Sequence, residues 1–353
     1  MPPYDLSDPD LDARIHDLVR EAARVGAEHD EDLIAEMIVT ALRLHRDGAD
    51  RADIRLINAA LKEMRYSFMV FAPYRDVRKV AVFGSARTPQ ADPNYLLATE
   101  MAGHMAKERA WMVMTGAGPG IMEAANRGAG DRSFGVNIRL PFEDEPNPFV
   151  PPERLINFRY FFPRKLIFVK EAHAFLLFPG GFGTMDETFE TMALIQTGKS
   201  DMHPVVLMEA SGTGYWEGFL EFIEESLVRK GMITPDDPRL FHYTTSVTEA
   251  AEEICGFYAN YHSQRFVDGK LIIRLLHPIG AAQLERLNDD FSEILVDGVI
   301  ESVPPAPTEV EDRDQLDLPR LRFHFDRRSY GRLRALIDHL NTLAPGSAEE
   351  QAH

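Results

Sequence analysis

The stretch FLLFPGGFGTMDETFE, Phe175 to Glu190, decides the fold. An apolar run ends in Pro179-Gly180-Gly181, a threonine follows at 184, and a helical pattern then opens with acids at 186, 187 and 190. A short apolar run that breaks at glycines and restarts with helical periodicity reads as a buried strand, a tight loop and a helix. The same grammar recurs on both sides. RKVAVFGSA (78–86) is a strand ending in Gly84-Ser85. YLLATEMAGHMAKER (95–109) is a helix, and AWMVMTGAGPG (110–120) is a strand into a glycine-rich loop. IMEAANRGAGD, SFGVNIRL, PRKLIFVKEA, HPVVLME and YWEGFLEFIEESLVRKG continue the alternation as helix, strand, helix, strand and helix. Strands alternating with helices predict βαβ units. The expected fold is α/β, a Rossmann-like, doubly wound parallel sheet over about 76–262.

Two flanking regions differ. Residues 1–75 read as a helical N-terminal extension, with Asp30 as an N-cap and Gly48 as a helix stop. Residues 263–353 read as a small α+β unit. GKLIIRLL and LPRLRFHFD are its strands, and GAAQLERLNDDFSEIL and SYGRLRALIDHLN its helices. The proline- and acid-rich SVPPAPTEVEDRDQ between them reads as loop or partly disordered. The lone cysteine, Cys255, lies in an apolar helical segment and is expected in the core.

Composition narrows the function. The chain has 353 residues, one cysteine and a formal net charge of −18. Without a second cysteine no internal disulfide forms, which fits a reducing compartment. No apolar stretch is long enough for a membrane span, and the N-terminus lacks a signal-peptide pattern. A cytoplasmic protein with no membrane partner is expected. The acidic field disfavours nucleic-acid polymers. It also repels small phosphates, so a phosphate site must supply its own local positive potential.

The strand ends offer such a site. Ser85 follows the first strand, Gly116, Gly118 and Gly120 the second, and Gly180, Gly181, Gly183 and Thr184 close the opening stretch. Glycines admit close backbone approach, and helix N-termini present unpaired N–H groups and a positive dipole end. The dinucleotide fingerprint fails at GAGPGI and no Walker loop is present, which leaves a mononucleotide or sugar phosphate. Asp186 is explained equally by charge–dipole capping, and Glu187, three residues after Thr184, by a capping box. A carboxylate there could instead bind sugar hydroxyls or steady an oxocarbenium ion. Phe161, Phe162 and Phe182 could stack on a base, but aromatic residues at such positions are more often core. No metal-ligand motif and no G-x-S-x-G elbow appears, and no cofactor is expected.

An Arg-Lys pair at Arg164-Lys165, with P-G-G-x-G-T-x-x-E beginning fifteen residues on at Pro179, resembles the Lonely Guy (LOG) family. TGAGPGIMEAANRGA and FGSA resemble that family's first glycine loop and opening turn. The resemblance covers about 78–260. It implies hydrolysis of nucleoside 5′-monophosphates to free base and ribose 5-phosphate, of the cytokinin-activating type or a purine/pyrimidine nucleotide nucleosidase. Arg164 and Glu187 would be the catalytic pair. Gly180, Gly181, Gly183 and Thr184 would hold the 5′-phosphate, with Lys165 beside the substrate and Glu143 matching a family glutamate. Ala193 stands where the family has a substrate-contacting threonine, so the base is not specified. The resemblance also implies a homodimer or a higher even-numbered homo-oligomer. The chemistry agrees: a carboxylate can steady a cationic sugar and orient water, and an arginine can hold phosphate or leaving base. The alternative is a non-catalytic nucleotide or molybdenum-cofactor carrier. The "lysine decarboxylase" label borne by many relatives requires a Schiff-base lysine, for which Lys165 and Lys199 qualify by residue type alone. The flanking segments serve packing and oligomer contacts more readily than regulation.

Overall fold

A computed structural model describes residues 4–22, 30–139 and 145–345. It divides into two compact units, 1–65 and 66–353. The first contains α1 (Pro9–Ala22), α2 (Glu31–Arg46) and most of α3 (Arg51–Phe71). Ile15 and Val19 of α1 and Ala35 and Val39 of α2 bury against Leu6. Asp30 precedes α2 but makes no side-chain cap hydrogen bond, and Gly48 stops the helix at φ +77°.

The second unit opens with β1 (Lys79–Phe83), α4 (Pro93–Lys107), β2 (Met112–Thr115), α5 (Ile121–Ala129), β3 (Ser133–Ile138) and β4 (Leu155–Phe158). It continues with α6 (Phe161–Glu171), β5 (Ala174–Leu177), α7 (Phe182–Gln196), β6 (Val205–Met208), α8 (Tyr215–Phe222), β7 (His242–Thr244) and α9 (Val247–Gly256). The strands form one parallel sheet in the order β4-β3-β2-β1-β5-β6-β7. This is the doubly wound, Rossmann-like sheet. Every residue of β1, β2, β5 and β6 is buried, as strands covered on both faces require. Helix starts are locally encoded: Asp92 caps α4 by accepting Asn94 N–H at 2.8 Å, with Pro93 next.

The strand order reverses between β1 and β5. Connections wind outward through β2, β3 and β4, then return to the far side of β1. The loops after β1 and β5 therefore diverge from a switch point, where open α/β sheets take their ligands. Phe178 N–H donates to Phe83 O at 2.8 Å and Ser85 N–H to Pro179 O at 3.0 Å, so the two loops leave the sheet side by side.

A second, antiparallel sheet, ordered β10-β11-β9-β8, lies in the same unit. It comprises β8 (Tyr261–Val267), β9 (Lys270–Leu275), β10 (Leu295–Ser302) and β11 (Arg320–Phe325), with α10 (Ala281–Asp290), α11 (Pro307–Glu311) and α12 (Tyr330–Thr342). Leu333, Leu336, Ile337 and Leu340 of α12 are fully buried in the core shared with the first sheet. Asn341 fastens α12 to the end of α9. Its Oδ1 accepts Asn260 and Tyr261 N–H at 2.9 and 2.8 Å, and its Nδ2 donates to Phe257 O at 2.6 Å.

Three local expectations are corrected. SVPPAPTEVEDRDQ contains α11, and Glu309 within it is wholly buried. Strands β4, β7, β8 and β10 lie in segments whose polar residues or short length hide the period. Cys255 is only partly buried, on the last turn of α9. Among the described residues no helix is long and apolar enough to cross a membrane.

Candidate active site

A cleft of about 1030 Å³ opens at the switch point, lined from both halves of the sheet. The β1 loop contributes Ser85 and Arg87, the β2 loop Gly116 and Gly118, and α6 contributes Arg164. Gly180, Gly181, Gly183, Thr184 and Glu187 complete it from the β5 side.

Helix α7 starts earlier than the sequence suggests. Its N-cap is Gly181 and its first residue Phe182, which places Thr184 inside the first turn rather than before it. The expected capping box is therefore absent. No side chain caps the helix, its first turn carries no acid, and Asp186 and Glu187 fall in the second turn. The first intrahelical bond runs from Met185 N–H to Gly181 O at 3.1 Å. The N–H groups of Phe182, Gly183 and Thr184 precede it, and with the positive end of the helix dipole they suit an anion. A methyl group on Gly181 or Gly183 would meet no atom within 4 Å, whereas one on Gly180 would strike Thr184 Oγ1 at 2.0 Å. Thr184 thus packs down on Gly180, and two open glycines face the cleft.

Tyr215 holds this loop from behind, a contact the sequence does not announce. Its hydroxyl donates to Gly180 O at 2.7 Å. The start of α8 is in turn fixed by Glu209, whose buried carboxylate accepts Tyr215 N–H at 2.7 Å and Trp216 N–H at 3.0 Å. Asn94, which lines the cleft, accepts Ala210 N–H at 2.7 Å.

The first glycine loop serves a different purpose from the second. Arg164 Nε donates to Val136 O at 2.8 Å, which draws the side chain across the β2 loop. A Cβ at Gly116 would lie 2.5 Å from Arg164 Nη2, so that glycine makes room for the guanidinium. Gly118 makes room for Met122 in the same way. Gly120 does not line the cleft. It adopts φ +68°, and a Cβ there would meet Ser85 O at 2.3 Å. Buried Ala117 sits at φ +60°, unusual for a residue with a side chain. Thr115, Asn126 and Asn147 hold it there: Thr115 Oγ1 accepts Ala117 N–H at 2.9 Å and donates to Asn126 Oδ1 at 2.7 Å, and Asn147 N–H donates to Ala117 O at 2.8 Å.

Glu187 is 8% exposed, and none of the described residues hydrogen-bonds its carboxylate. Burial pushes its pKa up to about 7, against the opposing pull of Lys165 and Arg164. Lys165 does not line the cleft. Its ammonium bonds Asp186 and Glu190 at 2.8 Å each. Burial lowers its pKa, but those two hydrogen bonds prevail and leave it raised. A protonated, doubly paired ammonium is a poor Schiff-base nucleophile, so Lys165 does not fit a pyridoxal phosphate site. Lys199 is exposed.

Phe161 and Phe182 are 51% and 96% exposed and line the cleft; Phe162 is exposed as well, so none of the three is core. Ala193 is exposed on α7. Glu143 lies outside the described residues.

Residues 120–254 match the family model described as "Possible lysine decarboxylase". A probable cytokinin riboside 5′-monophosphate phosphoribohydrolase of Oryza sativa subsp. japonica is 27% identical over 176 residues, 46% of this chain and 65% of that protein. The pyrimidine/purine nucleotide 5′-monophosphate nucleosidase of Escherichia coli is 27% identical over 170 residues, 45% of this chain and 36% of that protein. The chain thus spans less than two thirds of the length of either relative. A solved structure of the molybdenum cofactor carrier protein of Chlamydomonas reinhardtii covers 50% of this chain and 94% of its own, at 21% identity and a TM-score of 0.33. The family model and the two sequence relatives bear out the LOG-family resemblance of the Rossmann-like core.

Proposed function

We propose that this chain hydrolyses the N-glycosidic bond of nucleoside 5′-monophosphates, releasing free base and ribose 5-phosphate. The observation that carries the reading is the placement of a buried carboxylate with no hydrogen-bond partner among the described residues, Glu187, one helical turn beyond an uncapped helix N-terminus in a single cleft. The activities named for the rice and E. coli relatives support it.

In this reading the first-turn N–H groups of α7 and Thr184 hold the 5′-phosphate. Binding energy gained there orients the anomeric carbon against Glu187. As the C1′–N bond breaks, positive charge grows on the sugar, and the Glu187 carboxylate stabilises it in a water-poor setting where such attraction is strong. Water adds at C1′, its proton leaves, and the base departs with a proton in place of the sugar. Arg164 lies between the β2 loop and α6, suited to hold the substrate's anionic or leaving-group edge.

The test is free-base release, followed by chromatography, from AMP, GMP, CMP, UMP, IMP and a cytokinin riboside monophosphate, beside the unphosphorylated nucleosides. Release from the monophosphates alone supports the reading. No release from any of them, with a pterin chromophore co-purifying, would replace it with the carrier.

A further inference from the structure

The acidic chain must gather positive potential at the cleft, and its three cationic candidates are not equivalent. Lys165 is neutralised by Asp186 and Glu190 at 2.8 Å. Arg164 has its Nε committed to Val136 O and its guanidinium laid over Gly116, 5.4 Å from the centre of the Phe168 ring. Arg87 differs from both. It lines the same cleft from the β1 loop and is exposed, and among the described residues its guanidinium makes no ion pair or hydrogen bond.

Its backbone is nevertheless fixed. Arg87 N–H donates to Ser85 Oγ at 3.1 Å, and Ser85 N–H and O are tied to Pro179 O and Ile121 N–H, each at 3.0 Å. The root of the side chain is anchored across the switch point, beside the loop that leads into α7. Asp92, Asp186 and Glu187 also line the cleft, so a bound dianion faces carboxylates unless a cation intervenes. A fixed root and an unpaired planar fork suit two-point binding of a phosphate.

We propose that Arg87 clamps the substrate's 5′-phosphate from the β1 side, opposite the N-terminus of α7. The inference rests on the hydrolase reading for the nature of the substrate. The sequence points to Ser85 and not to Arg87, because an exposed arginine in a loop has no periodicity to mark it.

The test uses the full chain with Arg87→Ala and Arg87→Lys, and titrates inorganic phosphate and ribose 5-phosphate by calorimetry. The matching unphosphorylated nucleoside is titrated in the same way, and KM and kcat for the monophosphate are measured in parallel. Arg87→Ala is expected to weaken ribose 5-phosphate binding roughly tenfold or more, to raise KM for the monophosphate similarly, and to leave the affinity for the unphosphorylated nucleoside unchanged. Arg87→Lys should restore part of the loss. Unchanged ribose 5-phosphate affinity in Arg87→Ala would overturn the proposal, as would an equal loss toward nucleoside. If wild-type protein cleaves no monophosphate, the hydrolase reading fails while the phosphate titrations still judge Arg87. Wild-type protein that binds neither anion would overturn the clamp.

Discussion

Two buried glutamates in the same unit have opposite fates. Glu309 of α11 is wholly buried and fully partnered. Its carboxylate accepts Arg274 Nη2 at 2.6 Å, Arg320 Nε at 3.2 Å and Ala306 N–H at 3.1 Å. Burial would raise its pKa, but the Ala306 N–H and the two arginines hold it lowered. Glu187 of α7 is nearly as buried, has no such partners among the described residues, and its pKa rises to about 7. A buried charge that is satisfied marks architecture. One left without partners is costly and persists where chemistry or a ligand requires it. The contrast separates the two ends of the unit more sharply than residue type could.

The largest effect should fall on catalysis. Glu187→Gln is expected to lower base release by roughly 1000-fold or more while ribose 5-phosphate still binds, since the phosphate cradle is untouched. A variant retaining more than a tenth of wild-type turnover would remove Glu187 from the reaction. Next, Glu309→Gln should destabilise the protein by about 3–5 kcal/mol in denaturant titration, because buried Arg320 loses its carboxylate partner and buried Arg274 keeps only Asp314. Turnover per folded molecule should stay unchanged; a selective loss of turnover at full stability would erase the distinction between the two sites.

The third prediction concerns pH. A folded-state pKa near 7 against an ordinary value of 4.5 means that the folded protein binds the Glu187 proton more tightly than the unfolded chain. Glu187 therefore costs no stability below about pH 4.5. It costs progressively more between 4.5 and 7, up to about 3 kcal/mol above that. Glu187→Gln should accordingly raise Tm at pH 8 and leave it unchanged at pH 4. An equal Tm difference at both values would refute the isolated carboxylate. Because the ionised form is the active one, kcat/KM should climb with pH through about 7. Smallest is Tyr215→Phe, which removes one hydrogen bond to Gly180 O. A loss of about 1 kcal/mol, seen as a five- to tenfold rise in KM for the monophosphate, is expected. Unchanged KM would show that the loop holds its shape without Tyr215.

Local signals made much of this legible. Short, largely apolar buried strands that run into a glycine loop, such as Lys79–Phe83 and Ala174–Leu177, are hard to misread. They carry the sheet and, through its reversal, the position of the cleft. Of the Arg-Lys and Gly-Thr-Glu residues, Arg164, the three glycines, Thr184 and Glu187 meet there, and Lys165 does not. What escaped depends on partners remote in sequence or on a few residues of helix register. Glycine propensity argues against a helix at 182–183, yet α7 begins there, which turned an apparent cap into an open anion site. Lys165 looked available until two acids on α7 engaged it. Glu309 sat in a proline-rich stretch that resembles disorder, and its arginines come from β9 and β11. The exposure of Phe161 and Phe182 runs against the usual fate of aromatic side chains.

Helix α5 is closely packed at both ends. A methyl group on Gly128 would come within 2.1 Å of the Thr99 carbonyl oxygen on α4, so the two backbones are nearly in contact at that point. Eight residues away, about 12 Å along the axis, the same rod ends at Gly120 against Ser85. Bulk inserted at the pivot tilts the tip, and the tip is where the loops on either side of the cleft are joined. A surface-remote alanine at 128 would thus reach the cleft mechanically, as a displaced wall rather than a lost contact.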